Sequence, residues 1–114
     1  MRRIKLMIVG RPSYLPGAVL KAWDEAGIDL QGPVAAADLA AALVGTRPDG
    51  AVIDVEYDAP TLLGIMEIFD TFAVPALFAS AGPHSMDGFS FSADRTAMNT
   101  IVHQLLGSRY NTLQ

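Results

Sequence analysis

Short, nearly unbroken apolar runs alternate along this chain with longer stretches in which apolar residues recur every three or four positions. The runs include Leu6-Met7-Ile8-Val9, Ala51-Val52-Ile53 and Ala76-Leu77-Phe78-Ala79. Runs of this length, bounded by turn residues, read as strands covered on both faces. The pattern predicts strands over 5–9, 28–31, 51–55, 74–79 and 88–92, and helices over 16–26, 35–44, 60–72 and 94–106. In the first helix Val19, Leu20 and Trp23 recur on one side, and Gly27 is a natural stop. The Gly32-Pro33 turn is expected to close the second strand, and Pro48-Asp49-Gly50 to precede the third. Pro60 suits the first turn of the third helix. Ala97, Met98, Ile101, Val102 and Leu105 share one face of the last.

Strands alternating with helices imply a parallel sheet with right-handed crossovers and helices on both faces. Five strands in this length fit an α/β, doubly wound, flavodoxin-like sheet of order 2-1-3-4-5. Residues 1–107 then form one domain and 108–114 a polar C-terminal tail. The connection 81–88 has no room for a full helix, so the fourth helix of such a fold is expected to be shortened or missing. Asp54 ends the third strand. In a parallel sheet the carboxyl ends of the strands open onto the crevice where ligands bind, which makes Asp54 the leading candidate for chemistry.

Composition narrows the partners. With 114 residues, 51% of them hydrophobic, and a mean hydropathy of +0.31, the chain has enough apolar material for one core. No apolar run nears the ~20 residues that cross a bilayer. The start, Met1-Arg2-Arg3-Ile4-Lys5, faintly imitates an export signal, but its apolar stretch is short and Gly10-Arg11-Pro12 follows. The expected compartment is the cytoplasm, with no membrane partner, and the short polar tail favours a free-standing domain. Net charge is −4 and the basic residues are scattered, which argues against nucleic acid. Cysteine is absent, and His84 and His103 lie far apart, so no metal site is expected. No GxSxG, P-loop or GxGxxG motif occurs.

Several segments together resemble the receiver domains of two-component response regulators, the CheY-like family. Arg47-Pro48-Asp49-Gly50-Ala51-Val52-Ile53-Asp54-Val55 looks like the segment that carries the family's phosphoacceptor aspartate. Asp29-Leu30-Gln31-Gly32-Pro33-Val34, before an alanine-rich helix, is similar to a stand-alone receiver subgroup. Pro75–Ala81 and Asp87–Ala93 resemble strands four and five. The resemblance covers residues 4–106. It implies that Asp54 matches the phosphoacceptor, Ser80 the hydroxyl that contacts the phosphoryl group, and Phe89 the switch aromatic.

The chain departs from that pattern where the chemistry is done. Gly10 and Arg11 stand in place of the acidic pair that holds Mg²⁺, and Ser92 in place of the strand-five lysine. Mg²⁺ needs several oxygen ligands at about 2.1 Å, and Arg11 brings a fixed positive charge to that position. Phosphoryl transfer depends on neutralising charge on the phosphoryl oxygens. Three readings follow. The first is an atypical receiver acting through protein–protein contacts in bacterial signalling, not an enzyme in its own right and with no cofactor. In this reading Asp54 is either a satisfied strand-end carboxylate or a partner for Arg11 across adjacent strands. The second is a working receiver, phosphorylated with Mg²⁺ on Asp54 by a histidine kinase and read by a downstream regulator. The third is a flavodoxin-like module that binds a small anion or nucleotide near Gly10, Arg11 and Ser80. Helix three is apolar on more than one side, which leaves two readings: a helix that is simply well buried, or an interface, homodimeric or with a partner, formed by Leu62, Ile65, Met66 and Phe69. Glu56 and Asp58 read as solvated charges beyond strand three.

Overall fold

The computed structural model describes residues 3–81 and 88–107. Its centre is a five-stranded, all-parallel sheet of order β2-β1-β3-β4-β5, the flavodoxin-like arrangement. The strands are β1 (Ile4–Val9), β2 (Ile28–Val34), β3 (Gly50–Asp54), β4 (Ala76–Ala81) and β5 (Phe89–Phe91). Among the described residues four α-helices connect or follow them: α1 (Gly17–Glu25), α2 (Leu39–Gly45), α3 (Ala59–Thr71) and α4 (Arg95–Leu106). None of these is long and apolar enough to cross a membrane. The shortened or missing helix expected between β4 and β5, and the C-terminal tail, fall on residues 82–87 and 108–114, outside the described residues.

Each face of the sheet has its own core. Leu6, Ile8, Val52, Leu77 and Phe91 point to one side and pack against Trp23 of α1 and Met98, Ile101 and Leu105 of α4. Met7, Val9, Ala51 and Ile53 point to the other and pack against Leu39 and Leu43 of α2 and Ile65 and Phe69 of α3. This two-sided burial is why β1 and β3 read as continuous apolar runs and not as alternating ones.

Three boundaries differ from expectation. The second strand does not end at Gly32-Pro33 but continues to Val34. β2 is the edge strand, so the N–H that proline lacks is not required by a neighbour. The extra residue is absorbed by a bulge: Met7 pairs with Gln31 and Val9 with Val34, so Ile8 faces two residues. Gly32 has φ +124°, and a Cβ there would lie 2.6 Å from the Ile8 carbonyl oxygen, so only glycine fits. The second helix starts as a 3₁₀ turn over Ala36–Asp38, and the α-helix proper begins at Leu39. Its buried residues, Leu39 and Leu43, are one helical turn apart. The fourth strand begins at Ala76, not Val74, because the end of α3 uses Ala73 and Val74 as its C-terminal cap.

Both longer helices carry local start signals. The Asp58 carboxylate accepts the Thr61 N–H at 3.0 Å ahead of α3, and Asp94 accepts the Ala97 N–H at 3.0 Å ahead of α4.

Candidate functional site

The carboxyl ends of β1 and β3 lie side by side, with Val9 in register with Ile53. They deliver Gly10, Arg11 and Asp54 to one place. The Gly10 N–H donates to the Val34 carbonyl at 3.0 Å, which ties the end of β1 to the edge strand. A 3₁₀ turn, Pro12–Tyr14, follows and is closed by the Tyr14 N–H donating to the Arg11 carbonyl at 2.9 Å.

That turn folds Tyr14 inward, where it is 1% exposed. Its ring lies over Gly10 so closely that a Cβ on residue 10 would be 2.9 Å from the ring carbon Cδ2. Glycine at position 10 is therefore explained by packing. The ring stacks on Phe91 at a centroid distance of 5.0 Å, and Phe91 in turn meets Trp23 at 5.7 Å. The phenol hydroxyl donates to the Ala79 carbonyl of β4 at 2.6 Å and lies 3.5 Å from the Ile53 carbonyl. Burial, and secondarily the Asp54 charge, push its pKa well above the ordinary phenol value.

Asp54 is 1% exposed, and both carboxylate oxygens are engaged. Oδ2 accepts from Arg11 Nε at 3.2 Å and Nη2 at 3.1 Å, and Oδ1 accepts the Glu56 N–H at 2.9 Å. Arg11 itself is 56% exposed, so the pair is sealed on the carboxylate side and open on the guanidinium side. The pairing of Arg11 with Asp54 across β1 and β3, one of the alternatives left open by the sequence, is the arrangement present. These residues do not fit the Mg²⁺ of a working receiver. Gly10 offers no side-chain ligand, and a guanidinium lies against the carboxylate that would have to bind the ion. Among the described residues no group of three or more His, Asp or Glu is placed to hold a metal.

The other expected site residues divide between two places. Ser92 is 7% exposed and serves the start of α4, its hydroxyl accepting the Asp94 N–H at 3.2 Å while its carbonyl accepts the Trp23 indole N–H at 2.9 Å. Ser80 and Phe89 are half-buried and line a cavity of about 360 Å³ with Val55, Ala76 and Phe78. Asp58 is occupied as the α3 cap, and the Thr61 hydrogen bonds hold its carboxyl below the usual range. Glu56 is exposed. Of the two readings of α3, the interface one needs correction. Ile65 and Phe69 are 2% and 0% exposed and belong to the core, because they sit one turn apart on the side facing the sheet. Leu62 and Met66 are half-buried against the same cluster. The exposed apolar residue of the helix is Leu63, at 64%.

Tyr14 is the site residue that sequence reasoning missed. It lies between prolines in what reads as a loop. The available signal was a strand ending in glycine with an aromatic four residues later, a spacing at which a tight turn returns the ring over the glycine.

No protein-family model matches the chain, and no curated protein matches it. Among solved structures, the chain is similar to translation elongation factor SelB from Methanococcus maripaludis in its apo form, with 21% identity and a TM-score of 0.52. The likeness covers 95% of this chain and 28% of that one, and it is a likeness of fold.

Proposed function

We propose that this chain is a receiver-type signalling domain that has lost phosphoryl chemistry and acts by protein–protein contact in the cytoplasm. The observation that carries this reading is the state of Asp54. The carboxylate is buried, one oxygen takes two guanidinium N–H groups, and the other takes a backbone N–H. A nucleophilic carboxylate needs an open oxygen and a cation positioned to bind the incoming phosphoryl group. Here the cation is the protein's own and is already spent on the carboxylate. The segment resemblance around Asp54 supports the receiver part of the reading, and the substitutions Gly10, Arg11 and Ser92 support the loss of chemistry. The same pairing weighs against an anion or nucleotide site at Arg11. With no chemistry of its own the domain is not an enzyme.

Acetyl phosphate with Mg²⁺, followed by intact-mass measurement, tests this. No phosphoryl adduct is expected. A stoichiometric adduct that disappears in Asp54→Asn would establish the working-receiver reading instead.

A further inference from the structure

Among the described residues, no helix extends the cover that α2 and α3 give β1 and β3 onto β4 and β5. The core cluster on that side takes in Ala76 of β4 and stops there. Phe78, two residues on and pointing the same way, is 36% exposed, and Val55 beside it is 38% exposed. Together with Ser80 they line the cavity already described. The connections from β1 to β2, from β2 to β3 and from β3 to β4 each carry an α-helix. Between Ala81 and Phe89 the chain has seven residues, whereas a crossover with its helix takes about a dozen or more.

Charge defines what can lie in that place. All eight Lys and Arg residues fall at or before Arg47 or at or after Arg95. The elements β3, α3, β4 and β5 therefore carry no basic side chain, while Glu56, Asp58, Glu67 and Asp70 are exposed among them. An apolar groove in an anionic half of the molecule favours an apolar face bordered by cations. It disfavours a second copy of this chain, which would bring the same acidic half against it.

We propose that this groove over β4 and β5 docks a basic amphipathic helix supplied by a partner protein, which packs on the exposed Phe78 and Val55. Phe78 and Val55 provide the apolar contact, and the exposed Glu56, next to Val55 in the chain, favours a basic rim in a half that carries no Lys or Arg. β4 spans ~20 Å, the length of about 14 helical residues. The proposal rests on reading the chain as an interaction domain. A phosphoryl adduct on Asp54 would overturn the phosphate-independent reading without altering the binding result below, so the two failures are distinguishable.

The probe is a helical peptide of about 14 residues with leucine on one face and lysine on the other, compared with one carrying glutamate in place of lysine. Binding is followed by fluorescence anisotropy and by amide chemical shifts of the labelled protein. The lysine peptide is expected to bind with shifts centred on 76–80 and 88–91, and the glutamate peptide at least tenfold more weakly. Phe78→Ser and Val55→Ser, each checked for an unchanged fold by its remaining amide spectrum, are expected to weaken binding tenfold or more, and Glu56→Lys severalfold. Leu20→Ser, on the α1 side of the sheet, is expected to leave it unchanged. Equal binding of the two peptides, shifts centred elsewhere, or full affinity in both Phe78→Ser and Val55→Ser would overturn the proposal.

Discussion

At the scale of single residues, the site is held by a buried phenol and a buried carboxylate, and the charge of the carboxylate opposes ionisation of the phenol. Tyr14 donates to the Ala79 carbonyl, and its pKa is raised first by burial and then by the Asp54 charge. The unfolded chain ionises this phenol near its ordinary value of 10.0, the folded chain well above it. The stabilisation is therefore fully present below pH 10 and is lost as pH rises above it, because the unfolded state alone releases the proton. The unfolding free energy from urea titrations on either side of that value should fall by up to about 1.4 kcal/mol per pH unit. Tyr14→Phe should remove that part of the slope and cost about 1 kcal/mol at neutral pH. An identical slope in the variant would mean that other groups carry it. Asp54 gives a second expectation. Arg11→Ala leaves a carboxylate that is 1% exposed with one backbone partner, at a cost of about 1 to 3 kcal/mol, the lower end being favoured by the exposure of Arg11. Asp54→Asn keeps the shape and an acceptor for the Glu56 N–H, so chemical denaturation should find it the milder change. The reverse order would show that Arg11 is not what holds the carboxylate.

At the scale of elements, the junction of α3 with β4 carries a strained cap. Ala73 has φ +57°, its N–H donates to the Asp70 carbonyl at 3.1 Å, and the Val74 N–H donates to the Phe69 carbonyl at 3.0 Å. This is a Schellman cap with alanine where glycine is favoured. The left-handed conformation costs an L-residue roughly 1 to 2 kcal/mol, and glycine loses roughly 0.5 to 1 kcal/mol more entropy on folding. Ala73→Gly should thus stabilise the chain by about 0.5 to 1 kcal/mol, read as a higher thermal midpoint; a lower one would mean that the Ala73 methyl makes contacts worth more than the strain. The same junction shows why element order was legible in the sequence and some boundaries were not. Apolar periodicity reports which side chains are buried, and Val74 is 5% exposed whether it belongs to a strand or a cap. Likewise Gly32-Pro33 has turn chemistry, and only its place on the edge strand allows β2 to run through it. Helix α3 is apolar beyond one face, but periodicity alone did not tell Ile65 and Phe69, which point to the sheet, from Leu63, which does not.

At the scale of the molecule, Arg11 and Asp54 could be matched from the sequence because strand order places the ends of β1 and β3 together. Tyr14 could not, because its position depends on a tight turn that no periodicity encodes. The distribution of charge was present in the sequence and acquired meaning only once the half lacking basic residues proved to be the half in which Phe78 and Val55 are exposed. That partition makes an expectation about self-association. Two copies meeting through Phe78 would oppose acidic halves with no lysine or arginine between them, so the chain should sediment as a monomer at low ionic strength. Salt screens this repulsion, since the Debye length falls from about 10 Å at 0.1 M to about 3 Å at 1 M, while apolar attraction through the exposed Phe78 and Val55 persists. Any association should therefore strengthen with salt and be abolished by Phe78→Ser. A stable dimer at low salt, unaffected by that substitution, would mean that copies join through another surface, with the exposed Leu63 of α3 the first to test.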